Sequence, residues 1–530
     1  MADTTSPLSG APTPQARPEA VAKGSLPGSK GLRTGALGLV SSVAMGLAST
    51  APAYSLAATL GLVVAGVGVQ APIVIVLAFV PMLLIAYAYK SLNAADPDCG
   101  TTFVWAARAF GPRIGWLGGW GIIVADIIVM ANLAQIAGSY GFQFVGRDDL
   151  AENPLWTTIA GVLWIGLMTA ICYVGIEVSA ALQRWLLCAE VILLLLLSVK
   201  ALLHAYGPNP PSASLHISAS WFNPFAVSSA SAFTNGILLA IFIYWGWDTA
   251  VSVNEETKDA DKTPGRAAVI STVLLLAIYA LVATSAQAYA GNGTTGIGLA
   301  NPHHSGDVLS SLGNAVFGSH GAGAVLSKLL ILSVLTSAAA STQTTILPTA
   351  RTTLSMAVHR AIPQQFGRIH PRFLTPAWST VGMGIASVCF YVGLTSVSEN
   401  VLTDSIASVG LSIAFYYGLT GFACAWYFRR TLLHSARNFW LAGILPAVGG
   451  VILLFLFCYA AFYVYADPEY GTTVINLPLL GTTGGVSIIG VGALLMGCAL
   501  MAVQKRVQGT WFHHPDVSVG PALGTPPASQ

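Results

Sequence analysis

The chain has 530 residues, of which 54% are hydrophobic and only 8% charged, and its formal net charge is +2. Because soluble proteins carry about 25% charged residues, this composition excludes an ordinary water-soluble protein. The small net charge gives no sign of a nucleic-acid partner. The apolar residues form long runs close to the roughly 20 residues that cross a bilayer as a helix. We therefore interpret the chain as a polytopic membrane protein surrounded by lipid.

The two ends of the chain differ from its middle. Residues 1–35 and 507–530 are rich in proline and small polar residues, which predicts disordered tails. Between these ends lie twelve long apolar segments. The twelve apolar segments are 36–64, 71–89, 113–143, 157–176, 180–203, 228–254, 267–289, 322–355, 377–396, 402–428, 439–465 and 484–504. Since only helices satisfy the backbone over such lengths in lipid, the predicted fold class is all-α.

Lysine and arginine are unevenly distributed between the loops. If the N-terminus is cytoplasmic, all but Arg147, Lys200 and Lys328 of the 23 Lys and Arg residues fall on the cytoplasmic side. The positive-inside rule therefore predicts that both termini are cytoplasmic. We expect the membrane to be the plasma membrane.

Two of the predicted helices contain residues that interrupt a helix. Pro52 predicts a break near Ser49–Ala53 in the first segment, because proline removes a backbone donor. In the sixth segment Gly246 lies between aromatic residues and is followed by Asp248. Breaks at matching places in two halves indicate the binding site of a transporter built as an inverted repeat, so we predict that the two breaks meet. The alternative is two ordinary kinks in a helix bundle.

Three carboxylates fall well inside apolar segments, namely Asp126, Glu190 and Asp248. No lysine or arginine lies at comparable depth, which leaves a proton, a metal cation or a substrate ammonium as the partner of each acid. All three are candidate proton-coupling residues. For each, the alternative is a structural role in hydrogen bonds between helices.

The candidate substrate-binding residues flank the two breaks. They are Ser49, Thr50, Ala51, Tyr244, Trp245, Gly246, Trp247 and Asp248. Aromatic rings in an apolar segment usually pack against neighbours or lipid. At an interrupted helix they can also enclose a substrate or face its cation.

Two motifs carry a family resemblance. Residues 253–266 read VNEETKDADKTPGR after the sixth segment, and residues 351–356 read RTTLSM ahead of HPRFLTP at 370–376. Both resemble loops of the amino acid–polyamine–organocation (APC) permeases, over about residues 36–505. The resemblance implies the leucine-transporter fold, in which helices one to five and six to ten are inverted repeats. Residues 36–430 would form this transport core, and helices eleven and twelve, over 431–506, would be appended to it.

The resemblance also implies roles for individual residues. Asp248 matches the family's acid on helix six, and Glu190 aligns approximately with a lysine that occupies a sodium-like site in some proton-coupled relatives. Three hydroxyl residues stand where related transporters coordinate sodium, namely Ser337, Ser341 and Thr342. The chain departs from the family at Thr50, Ala51 and Pro52, where a glycine-rich triplet is usual. It also has Gly-Trp-Asp at 246–248 where many members have Gly-Phe-Glu.

From these patterns we expect a permease for amino acids or related amines, working by alternating access. Protons are the expected coupling ion and sodium is the alternative. A transporter of polyamines or other cations, or an exchanger, remains open as a second hypothesis. A membrane-embedded enzyme is disfavoured, because the apolar segments contain no histidine, no metal-spaced cysteines and no nucleophile elbow. We therefore expect neither a cofactor nor a bound metal.

Overall fold

A computed structural model of the chain describes residues 30–513, apart from 31, 33, 34, 175–179, 399, 468, 469, 471, 472, 478–480, 508 and 509. The first ten α-helices within these residues are α1 (Leu39–Thr50), α2 (Pro52–Val67), α3 (Ala71–Ala95), α4 (Thr102–Phe110), α5 (Pro112–Phe144), α6 (Asp148–Ala151), α7 (Pro154–Val174), α8 (Ala180–Ala205), α9 (Ala230–Tyr244) and α10 (Thr249–Ser252). The remaining helices are α11 (Thr263–Ala290), α12 (Val308–Phe317), α13 (Gly321–Val358), α14 (Ala377–Val397), α15 (Val401–Tyr427), α16 (Ala436–Asn438), α17 (Leu445–Tyr459), α18 (Gly485–Val507) and α19 (Thr510–His513).

Each of the twelve predicted segments contains a helix, but ten helical stretches of the described chain are individually long and apolar enough to cross a membrane. The two counts differ for physical reasons. One stretch, Leu39–Ala95, is 57 residues long and joins the first two predicted segments. At about 1.5 Å per residue it is far longer than one crossing needs. The sixth predicted segment is divided between the shorter apolar helix α9 and the four-residue helix α10, because the chain leaves the helical path after Tyr244.

The helices start where local chemistry favours it. Pro52, Pro112 and Pro154 occupy the first helical position, where a missing N–H costs nothing. Asp307 caps α12 by accepting a hydrogen bond from the Ser310 amide at 3.3 Å. A departure from the all-α expectation is a short antiparallel hairpin, β1 (Val474–Leu477) with β2 (Gly481–Gly484), in which Val474 pairs with Gly484.

The interior of the bundle is built around α5, α13 and α15. Helix α5 packs against both α13 and α15, and α15 packs in turn on α17 and α3. The outer surface carries exposed apolar side chains such as Leu163 and Phe455, which are 68% and 64% exposed. Surfaces of this kind suit a lipid environment, because lipid chains solvate apolar side chains without cost.

Both ends of the described chain fold back on one end of the bundle, which we call the terminal face. Lys30 forms ion pairs there, and Leu32 is buried. Trp511 and Phe512 in α19 are also buried there, and the Trp511 ring stacks on Phe103 with centroids 5.4 Å apart. Lys30, Leu32, Trp511 and Phe512, which belong to the two tails, thus contact the bundle in this structure. Residues 1–29 and 514–530 of those tails lie outside the described residues.

Candidate site at the two helix breaks

The first break is a single left-handed residue between α1 and α2. Ala51 has φ 48° and ψ 70°, and Pro52 begins the next helix. A non-glycine residue in this region is strained, and proline cannot supply the amide that would continue the helix. The prediction of a break within Ser49–Ala53 is confirmed.

Side chains form hydrogen bonds with the backbone groups that this break leaves without a helical partner. The Ala53 amide donates to the Glu190 carboxylate at 2.7 Å, and the Ser49 carbonyl accepts from the Ser341 hydroxyl at 3.0 Å. The Thr50 carbonyl accepts from the Ser55 hydroxyl at 2.5 Å. In this conformation the Ala53 amide is therefore bound within the protein and is not available to a ligand.

The second break separates α9 from α10. Trp245 is extended, Gly246 has φ 119°, and the Thr249 amide donates to the Gly246 carbonyl at 3.1 Å. A Cβ atom on Gly246 would lie 2.9 Å from backbone atoms of Ser49 and Thr50. Only glycine tolerates both this φ and this approach. The two breaks therefore touch, as the sequence predicts.

A narrow cavity lies beside the contact between the breaks. The side chains that line it are Ser49, Ile122, Asp126, Trp245, Gly246, Asp248, Thr249, Thr344, Thr345 and Pro348. The cavity has room for about one water molecule. A larger ligand therefore requires the surrounding helices to move apart.

Four of the eight candidate substrate-binding residues line this cavity, namely Ser49, Trp245, Gly246 and Asp248. The other four do not line it. The Thr50 hydroxyl donates to the Leu47 carbonyl at 2.8 Å, and the Ala51 amide donates to the same carbonyl at 3.1 Å. Tyr244 packs edge-on against Tyr279, and Trp247 packs edge-on against Tyr89. The rings of Tyr244 and Trp247 therefore pack against other aromatic side chains next to the second break and do not line the cavity.

Asp248, at the second break, and Asp126, on α5, face the same cavity. The Tyr416 hydroxyl donates to Asp248 at 3.0 Å, and the Trp245 indole N–H donates to Tyr416. The Thr349 hydroxyl donates to Asp126 at 2.5 Å. Within the described part of the chain neither carboxylate has a lysine, arginine or histidine partner. Tyr416 could not be identified from the sequence, because one tyrosine in an apolar segment carries no signal of its partner.

Glu190 lies apart from the other two acids. Its Oε1 atom accepts hydrogen bonds from the Ala53 amide at 2.7 Å and from the Ser337 hydroxyl at 2.9 Å. The carboxylate thus joins α2, α8 and α13 at the first break. It lines a separate cavity of about 210 Å³, on whose wall Asp126 and Asp248 do not lie.

The three expected sodium-coordinating hydroxyls all have partners in the protein. Ser337 donates to Glu190, Ser341 donates to the Ser49 carbonyl, and Thr342 donates to the Ala338 carbonyl at 2.7 Å. Among the described residues, the one group of acids and cysteines close enough to hold a metal is elsewhere, at Asp98, Cys99 and Glu255. The Lys30 ammonium lies 2.8 Å from Asp98 and 2.7 Å from Glu255 in that group.

Ion pairs connect the elements of the terminal face. Arg351 on α13 pairs with Glu256 at 2.7 Å, and Arg108 on α4 pairs with Asp96 at 2.9 Å. Burial raises the pKa of Asp96 to about 6, although the Arg108 charge opposes this. Burial would also raise the pKa of Asp98, but the neighbouring His359 ring and the Lys30 ammonium outweigh it and hold that pKa well below its usual range.

The opposite end of the bundle is also tightly packed. A Cβ atom on Gly61 of α2 would lie 2.4 Å from the carbonyl oxygen of Ser305, so the loop before α12 rests directly on α2. Asp307 accepts hydrogen bonds from the Tyr140 hydroxyl and, at 2.8 Å, from the Gln143 amide. Contacts thus cross the bundle on both sides of the two breaks.

Comparison with known proteins agrees with this architecture. The model of a family described as amino acid permease matches residues 37–502. The chain belongs to this family. The resemblance to the APC permeases is thereby confirmed, and with the ten candidate spans the chain is a multi-pass membrane protein.

Several individual permeases and transporters are similar to this one. It is 25% identical over 482 residues to an uncharacterized transporter of Mycobacterium tuberculosis, covering 89% of this permease and 93% of that protein. It is 26% identical over 351 residues to the vacuolar cationic amino acid transporter 4 of Arabidopsis thaliana, covering 64% and 54%. It is 25% identical over 255 residues to the branched-chain amino acid permease BcaP of Lactococcus lactis, covering 44% and 52%.

Proposed function

We propose that this permease is a secondary transporter that moves amino acids or related amines across the plasma membrane by alternating access, and that it is not an enzyme. The observation that carries the proposal is the contact between two interrupted helices beside buried carboxylates that lack a cationic partner in the described chain. The names of similar proteins support it, since they include cationic and branched-chain amino acid transporters and a putrescine importer of Escherichia coli.

The proposed architecture has twelve crossings, with α1 to α8 and α9 to α15 forming the two inverted halves. The breaks fall in the first and sixth predicted segments, as this arrangement requires. Both ends of the described chain contact the terminal face, and the distribution of Lys and Arg supports a cytoplasmic location for that face.

In the proposed binding mode the substrate ammonium lies near Asp248, and Trp245 lies against the body of the substrate. The positive charge of the ammonium would pair with the Asp248 carboxylate, which has no cationic partner among the described residues. Because the cavity holds about one water molecule, the conformation described here corresponds to a closed state between the two open ones.

Glu190 is the proposed proton-coupling residue. In its ionised form it is a strong acceptor for the Ala53 amide and the Ser337 hydroxyl, and it stabilises the contact of α2 with α13. Protonation weakens both hydrogen bonds and allows these helices to separate. Protons are favoured over sodium, because the neighbouring hydroxyls already donate to protein oxygens.

Uptake into proteoliposomes tests this proposal. Purified protein is reconstituted and given radiolabelled leucine, lysine or putrescine under an imposed pH gradient or sodium gradient. We expect saturable accumulation of an unmodified substrate, driven by the pH gradient. Accumulation of none of the three, or recovery of a chemically altered product, would contradict the proposal.

A second candidate is a transporter of polyamines or other dications. Asp126 and Asp248 line one cavity from α5 and the second break, and two ammonium groups would match two carboxylates. In the same vesicles, inhibition of leucine uptake by putrescine but not by glycine would favour this candidate.

A further inference from the structure

The cavity beside Glu190 is separate from the cavity at the two breaks. It lies between α7 and α8, with parts of α1 and α13 as its inner wall. Its volume of about 210 Å³ exceeds the roughly 150 Å³ of an engineered protein cavity that binds benzene. It is therefore large enough for an aromatic ring with a short side chain.

Most of the surface that lines this cavity is apolar, although Gln183, Thr336 and Gln343 also lie on its wall. Met168, Leu187, Ala339 and Ala340 contribute hydrocarbon surface from three helices. An apolar group placed against these side chains gains favourable contacts with them.

Glu190 is the acidic group on that wall. Both of its hydrogen bonds end on Oε1, and no described residue forms a hydrogen bond or ion pair with Oε2. An ionised carboxylate in apolar surroundings is costly unless a cation accompanies it. A ligand that fills the cavity should therefore bring a positive charge to one end of an apolar body.

The cavity has an opening at the outer surface of the bundle. Leu186, which is 37% exposed, belongs both to its lining and to the outer face of α8. Helix α7 packs on α5 and α14, α8 packs on α11, and both of them also pack on α13. A ligand can enter there without passing the helix breaks.

We infer that this cavity is a second binding site, which takes a hydrophobic monoamine with its ammonium against Glu190. The inference goes beyond the proposed transport function and does not depend on it. A neutral hydrocarbon would leave the carboxylate without a cation, and a carboxylic acid would place two negative charges together. In an amine with one aromatic ring, the ring contacts the apolar side chains of the cavity and the ammonium pairs with the Glu190 carboxylate.

Equilibrium binding of radiolabelled 2-phenylethylamine to purified, full-length protein tests the inference. We expect saturable binding that 2-phenylethanol and 3-phenylpropionate compete for at least tenfold more weakly. Ala340→Phe, which fills the cavity, and Glu190→Gln, which removes the charge, should each weaken binding at least tenfold. Ala339→Leu gives a milder filling if Ala340→Phe does not fold.

Two matched variants serve as controls for added volume and for lost charge. Val325→Phe adds a similar volume on the exposed face of α13, and Asp149→Asn neutralises an exposed acid that pairs with Arg147. Both should bind the amine as the wild type does. Absence of saturable binding would overturn the inference. So would equal binding of the alcohol, or loss of binding in Asp248→Asn with retention in Ala340→Phe, since the amine would then occupy the cavity at the breaks.

Discussion

Single polar groups decide how this helical bundle is held together at its breaks. Pro52 cannot donate and Ala51 is left-handed, so the Ala53 amide needs an acceptor outside its own helix, and Glu190 provides it. Tyr416 both accepts from Trp245 and donates to Asp248, and so links α15 to the second break. Each of these groups would be unsatisfied if its partner moved.

At the terminal face, Asp96 predicts a pH dependence of stability. Its pKa rises from 3.8 to about 6 on folding, so the folded protein binds this proton more tightly than the unfolded chain does. The stability that this proton gives is complete below about 3.8 and is lost as the pH rises through about 6. Asp98 affects stability in the opposite direction, because folding lowers its pKa. The stability that it contributes is present above about 3.8 and is lost as the pH falls below that value.

Asp96→Asn should therefore remove part of the fall in melting temperature between pH 4 and pH 7. The slope against pH is the quantity to compare, since the variant also deprives Arg108 of its ion pair. Asp261→Asn, at an exposed position, should keep the wild-type slope. If the melting temperature of Asp96→Asn fell with pH as steeply as that of the wild type, the Asp96 carboxyl would not titrate between pH 4 and pH 7.

At the scale of elements, the contact between the two breaks depends on Gly246. An alanine there would combine φ 119° with a Cβ atom 2.9 Å from the backbone of Ser49 and Thr50. Strain of this kind costs about 1–3 kcal/mol. Gly246→Ala should lower the melting temperature and greatly reduce transport, as measured by tryptophan fluorescence on heating and by counterflow.

Gly393→Ala is the matched control, because a Cβ atom there meets no neighbour within 4 Å. It should leave both melting temperature and counterflow close to wild type. Normal counterflow in Gly246→Ala would mean that the breaks do not need their close approach.

Helix α19 is an element whose order depends on packing. Trp511 is 2% exposed and lies against Phe103 in a cluster that includes Trp116 and Met356. Trp511→Ala should destabilise the protein by up to about 3 kcal/mol, the lower end for removing a buried tryptophan. Leu433→Ala, at a residue 87% exposed, should not change the melting temperature. An unchanged melting temperature in Trp511→Ala would show that α19 is not anchored.

Local signals explain which parts of these elements could be predicted. Proline and glycine act on their own backbone, so Pro52 and Gly246 predicted both breaks, and apolar run length predicted the helices. The partners of Glu190 lie 137 and 147 positions away along the chain, and Tyr416 lies 168 positions from Asp248. No local pattern encodes such pairings. For the same reason the packing of α19 on α4 and α5 could not be predicted from the sequence.

For the whole molecule, contacts on both sides of the breaks describe a closed conformation. Arg351 with Glu256 and Lys30 with Asp98 cross the terminal face, while Ser305 rests on α2 at the other end. Alternating access requires these two sets of contacts to open in turn. Glu190 joins α2 to α13 at the first break, and the proposed mechanism has these two helices separate when Glu190 is protonated.

Transport by Glu190→Gln in proteoliposomes is the sharpest test of proton coupling at the first break. The amide keeps nearly the same volume and an acceptor oxygen for Ala53, but it cannot change its protonation. Asp149→Asn, at an exposed position paired with Arg147, is the matched control. We predict that Glu190→Gln retains counterflow exchange and loses pH-driven uphill uptake, whereas Asp149→Asn retains both. Uphill, pH-dependent accumulation by Glu190→Gln at the wild-type rate would contradict the proposed role of Glu190.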